Sequence, residues 1–173
     1  FFLVHGTNVM VITRNFAVMK FRMLTQEELE FFKEEFKQFL IVNGVEAKEW
    51  EKMNVSNKEK AVQMVELFSD TVLQKVYGKI ISLEHRTKSS CMVFKFNKKN
   101  IELISINVKN GAEIDLSTPE SIHEALIKNA NQLTVFKTQK EYSGNKVDEV
   151  HLMFENGCLN STASFWNIML KVL

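Results

Sequence analysis

The chain has 173 residues, 45% hydrophobic and 25% charged, the balance of a globular protein and not of a wholly disordered one. Twenty-two Lys and Arg against twenty-one Asp and Glu leave a net charge of +1, so any attraction to nucleic acid or membrane must come from a local patch. One proline and six glycines exclude collagen-like and low-complexity linker sequence.

Phe1 to Val18 is apolar but broken by His5, Thr7, Asn8, Arg14 and Asn15, short of the ~20 apolar residues of a membrane span. No basic residue precedes it and no small-residue cleavage site follows, so a signal peptide is not expected. The expectation is that Met19 is the natural start and residues 1–18 are an upstream or loosely attached extension. An added edge strand from Val9 to Ile12 is the alternative. Residues 19–173 read as a single α+β domain.

Thr25-Gln26-Glu27-Glu28 is a capping box, in which the Thr25 hydroxyl accepts from the Glu28 amide and the Glu28 carboxylate reaches back. Leu29, Phe32, Phe36, Phe39 and Leu40 then follow the 3.6-residue period, and Gly44 supplies the stop. Phe31 lies beside this stripe. A short helix from about Glu46 to Met53 presents Trp50 and Met53. A second box, Ser56-Asn57-Lys58-Glu59, predicts a longer helix through Tyr77, striped by Ala61, Val65, Phe68, Val72 and Val76 and closed by Gly78.

After Gly78 the period changes to two. Ile81-Leu83-His85, Met92-Phe94-Phe96 and Ile104-Ile106-Val108 each alternate with polar or smaller residues, with a turn at Asn97 to Asn100. This predicts a three-stranded antiparallel meander covered by the helical cluster before it. Thr118-Pro119 opens another helix, because proline at the first helical position loses no needed N–H. Leu133 to Thr138 is β-rich, Val147 to Phe154 is helical in spacing, and Ser161 or Thr162 caps a last helix. The expected fold is an N-terminal helical cluster packed on a small antiparallel sheet, with further helices in the C-terminal third.

Thr25-Gln26-Glu27-Glu28-Leu29, Phe39-Leu40, Asn43-Gly44, Glu49-Trp50, Glu66-Leu67-Phe68-Ser69-Asp70, Leu83-Glu84-His85-Arg86 and Glu155-Asn156-Gly157-Cys158 occur in this order. Together they resemble a family of small bacterial proteins defined as a domain of unknown function, from Met19 to near the end. The resemblance implies a cytoplasmic location and brings no activity or catalytic residues with it.

Chemical signatures are sparse. Cys91 and Cys158 are the two cysteines, too few for a disulfide framework and without zinc spacing, which suits reduced thiols in a reducing compartment. Glu84-His85-Arg86 is the densest polar cluster on a strand. His85 has the chemistry of a general base and Arg86 that of a bidentate anion ligand, but no second catalytic group follows from spacing. His151 and Glu155 share a helix face without further ligands, His123 has none, and Cys158 lacks an assigned base. No metal and no cofactor are expected.

Charge is unevenly spread. From Thr25 to Lys60 nine residues are acidic and six basic, whereas Lys79 to Lys109 has seven basic and two acidic. Arg86, Lys88, Lys95, Lys98 and Lys99, with His85, are therefore the candidate binding residues. The leading expectation is a non-enzymatic cytosolic module that docks a protein partner, without a membrane. The alternative is a nucleic-acid-binding module using the basic meander from Arg86 to Lys99, with Phe94 and Phe96 beside Lys95. An enzyme centred on His85 and Arg86 ranks third.

Overall fold

In the computed structural model, which describes residues 19–171, the first helix begins at the expected box. Thr25 caps α1 (Gln26–Phe31): its Oγ1 accepts from Glu28 N at 3.2 Å, and Glu28 Oε2 accepts from Thr25 N at 2.8 Å. Both Glu28 oxygens also accept from Arg22 at 2.7 Å, which holds the carboxyl down at about 2. The readings for Phe1 to Val18 lie outside the described residues.

The apolar stripe expected to run as one helix is divided at Phe32 (φ −94°, ψ 23°), where α2 (Lys33–Val42) starts. Phe31, off the stripe, is left 81% exposed and packs edge-on to Phe32. The chain turns at Gly44, whose φ of +77° is a left-handed conformation that residues with a Cβ rarely adopt. In α3 (Ala47–Ser56) the serine expected to cap the next helix instead ends this one, its Oγ donating to Lys52 O at 2.7 Å. Asn57 takes over that cap: its Oδ1 accepts from Lys60 N at 3.2 Å at the start of α4 (Lys58–Lys79).

The chain divides after Thr71, inside α4, into two compact units. In the first, Leu40, Val45, Met53, Ala61 and Met64 form the core, flanked by Phe36, Phe39 and Trp50. The Phe36 ring meets Trp50 edge-on at 5.3 Å and Phe68 at 4.9 Å. Buried Ser69 donates to Val65 O and accepts from Leu24 N, while Asp70 accepts from the amides of Lys20 and Phe21. The Glu66–Asp70 motif thus fastens the segment that leads into α1.

The second unit is built on a five-stranded antiparallel sheet of β1 (Ser82–Arg86), β2 (Ser90–Phe96), β3 (Asn100–Val108), β4 (Leu133–Glu141) and β5 (Leu159–Asn160), ordered β4-β3-β2-β1-β5. The three meander strands lie where alternation placed them. β4 runs three residues past the apolar stretch, because pairing along β3 as far as Asn100↔Glu141 sets its length. The two-residue β5 was not legible in the sequence.

Residues opposite one another on antiparallel strands share a face. Cys91, Val93, Ile104 and Ile106 form one face with Leu116, with Ile122 and Ala125 of α5 (Pro119–Lys128), and with Trp166 and Met169 of α7 (Ala163–Leu170). The other face carries Leu83, Phe96 and Ile101, and α6 (Lys146–Glu155) is tied to it where Lys140 meets Glu149 at 2.8 Å. Tyr77, from the last turns of α4, stacks on His151 and Phe154 of α6. No helix among the described residues is long and apolar enough to cross a membrane.

Candidate functional site

Successive strand residues point to opposite faces, so the Glu84-His85-Arg86 cluster is split as alternation requires. Glu84 and Arg86 lie on the face with their partners Val93 and Cys91. They pair with each other there, through Arg86 Nη2 and Glu84 Oε1, and Ser161 Oγ donates to Glu84 Oε2 at 2.7 Å. Glu84 is buried, so the cluster is an internal brace and not a solvated ion pair. Ser161 N also donates to Ser82 O at 3.1 Å, so this brace fastens the segment between α6 and α7 onto β1.

His85 lies on the opposite face across from Met92, and its ring faces Gly157 at the end of α6. Its Nδ1 is buried with no hydrogen-bond partner among the described residues. The register of β1 with β5, Glu84↔Leu159, continued by one residue sets His85 opposite Cys158. Burial pushes the Cys158 thiol up, and it pushes Cys91 up to about 12, aided by the Glu84 charge and opposed by Arg86. Both thiols are therefore held in the protonated, weakly nucleophilic form. His123 is exposed on α5, and no group of three potential metal ligands gathers among the described residues.

The lysines of the meander do not form one patch. Lys88 lies in the turn between β1 and β2, and Lys98 and Lys99 lie in the turn between β2 and β3. Those turns are at opposite ends of β2, about 20 Å apart for a strand of this length. Lys95 is the charge that joins the second group. Its Nζ sits 5.7 Å from the buried Trp166 ring, with Lys137 Nζ at 5.8 Å and also 2.7 Å from Glu102 Oε2. Phe96 is buried on the other face, so the aromatic and basic side chains of β2 do not share a surface.

The feature that charge and motif scanning missed is the outer edge of β4, which no strand among the described residues pairs. Lys109 N donates to Gln132 O, which fixes the phase of the β3–β4 ladder. By alternation, Thr134, Phe136, Thr138 and Lys140 bond inward to β3, and the backbone groups of Val135, Lys137 and Gln139 face outward. Edge strands are often blunted by proline, a bulge or a lysine lying across them. This one is nine residues long without proline or bulge, and its two lysine amines turn inward to Glu102 and Glu149. Phe136 remains 45% exposed in the middle of it. The one legible signal was the β-rich run from Leu133, which does not reveal that the strand lies at an edge.

No curated protein and no solved structure matches the chain. Residues 19–173 match the family of unknown function DUF6495, and the chain, with its capped first helix and its Leu83–Arg86 strand in place, belongs to that family.

Proposed function

We propose that the chain is a non-enzymatic, cytoplasmic protein-interaction module that takes up a partner's strand along the outer edge of β4. The observation that carries this reading is the row of outward-facing N–H and C=O groups at Val135, Lys137 and Gln139, beside the half-exposed Phe136. An extended segment laid there gains main-chain hydrogen bonds for affinity and side-chain contacts for selectivity. The non-enzymatic part is supported by Glu84 and Arg86 satisfying each other inside the sheet and by two thiols held protonated. Two buried, reduced thiols suit the cytoplasm.

The test is Gln139→Pro, which deletes one outward donor and the exposed side-chain bond from Asn100 Nδ2 to Gln139 Oε1, while leaving the inward main-chain bonds of β4 to β3 intact. Proteins captured from the native cell by the unaltered chain are expected to be lost by this variant, with its circular dichroism unchanged. Equal capture by both overturns the reading.

A second reading is nucleic-acid binding at one end of the sheet, supported by Lys95, Lys98 and Lys99 near the same turn. It requires affinity for single-stranded RNA or DNA that falls steeply with salt and weakens when these three lysines become Ala. Absence of binding in low salt removes it.

A further inference from the structure

We infer that the strand taken up by β4 is β4 of a second copy, paired antiparallel about a two-fold axis at Phe136, so that two five-stranded sheets become one. This rests on the edge-docking reading and goes further by naming the partner and the register.

The backbone phase narrows the choice. Outward-facing positions must pair with outward-facing positions, so odd residues of β4 meet odd residues of the second copy and a two-fold axis passes through a residue. An axis at Lys137 sets like charges directly opposite, which destabilises antiparallel pairs. With the axis at Thr138, Phe136 lies against Lys140 and Val135 against Glu141, so apolar side chains face charged ones. Shifting it towards Leu133 shortens the ladder, because β4 begins there.

An axis at Phe136 sets no like charges opposite, keeps seven residues of each β4 in the ladder, and leaves Val135 against Lys137 as its one kind of apolar–charged pair. Phe136 meets Phe136, Thr134 meets Thr138, and Val135 meets Lys137, whose amine is already held by Glu102. Aromatic–aromatic and Thr–Thr pairs are the favourable cross-strand combinations. The central pair is of the non-hydrogen-bonded kind, which brings side chains closest and covers the ring left 45% exposed in the single chain. Main-chain bonds form between Val135 and Lys137 of the two copies, in both directions. Leu133 N is engaged with Ala130 O, so at that end Gln139 N donates to Leu133 O without a return bond.

Cysteine cross-linking of the full chain reads the register. Non-hydrogen-bonded antiparallel pairs hold Cα atoms about 4.5 Å apart, within disulfide reach. Phe136→Cys is expected to give a covalent dimer on mild oxidation, whereas Thr138→Cys alone is not, since its partner position is Thr134. Cys91 and Cys158 are buried, so the introduced thiol is the accessible one. Sedimentation equilibrium of the unaltered chain should show a concentration-dependent dimer, weakened at least tenfold by Phe136→Glu.

A chain that stays monomeric at several hundred micromolar overturns the inference, as does cross-linking by Thr138→Cys in preference to Phe136→Cys. If the chain is monomeric and Gln139→Pro still abolishes capture of another protein, the second-copy inference falls while edge docking stands. A dimer that Gln139→Pro leaves intact and that Phe136→Cys does not cross-link removes both.

Discussion

Ser161 donates its hydroxyl hydrogen to Glu84 Oε2 at 2.7 Å, closing a buried bridge between two positions 77 residues apart in sequence. Glu84 has its other oxygen on Arg86, so one carboxylate holds both β1 and the segment after β5. The bridge explains why the densest polar triplet of the chain sits in a strand whose first three residues are buried.

Removing one member of this brace should reveal its energetics. Arg86→Ala leaves a buried carboxylate uncompensated and is expected to destabilise the second unit by about 3–5 kcal/mol. Ser161→Ala removes one hydrogen bond to a charged group and is expected to lose about 1.5–3 kcal/mol. Urea unfolding followed by Trp166 fluorescence, in a Trp50→Phe background, measures both. A Ser161→Ala loss below about 0.5 kcal/mol would show that the hydroxyl is replaceable by water.

Acid should weaken the same unit through Glu149. Burial works against its ionisation, but hydrogen bonds from Lys140, from the Ser143 hydroxyl and from the Ser143 amide outweigh this and hold the carboxyl at about 2 instead of its ordinary 4.5. Its folded value lies below its unfolded one, so the stabilisation is complete above about pH 4.5 and is lost as pH falls towards 2. The amount is about 2–3 kcal/mol, since each tenfold change in proton affinity is worth about 1.4 kcal/mol and Lys140 is partly exposed. Melting temperatures from pH 6 to pH 2 are expected to fall less steeply for Glu149→Gln, which has no carboxylate to protonate. Parallel curves for the two proteins would assign the acid sensitivity elsewhere.

Local rules made much of this fold readable and long-range ones set the rest. Thr25, Gly44 and Thr118 act as the sequence predicts because caps and left-handed turns depend on a few neighbouring residues. Ser56 and Asn57 are both good caps one residue apart, and only the joining of α3 to α4 decides between them. The tail of β4, Gln139 to Glu141, is polar and becomes strand because β3 offers it partners. The candidate lysines were legible as residues but not as a surface. Lys88 and Lys98 are ten positions apart, a separation that a hairpin strand converts into opposite ends of the sheet. Arg86 looks like a surface cation until the fold buries its strand neighbour Glu84 and sets Ser161 against that carboxylate.

The thiols should be silent in the folded protein. Cys91 is pushed up to about 12 and Cys158 is raised, both by burial first of all, and thiol reagents attack the thiolate. At pH 8 an aromatic disulfide reagent is expected to label neither within minutes in native buffer and both in denaturant. Rapid native labelling that is lost in Cys158→Ser would instead reveal an accessible thiolate beside His85, and would restore the case for chemistry there.

Gly157 offers a separation of backbone strain from packing. Its φ of +82° is left-handed, and an added Cβ would sit 3.9 Å from both Cδ2 and Nε2 of His85, an ordinary contact. The substitution Gly157→Ala is therefore expected to destabilise by about 1–2 kcal/mol through the backbone alone. Because no clash contributes, trimming the ring should give no relief. Gly157→Ala combined with His85→Ala is expected to show the sum of the two single losses within about 0.5 kcal/mol. Gly157→Asn, whose side chain tolerates the left-handed region better, should lose less than Gly157→Ala. If His85→Ala rescues Gly157→Ala, the histidine ring presses on the end of α6, and the positive φ is a consequence of that pressure instead of the helix stop.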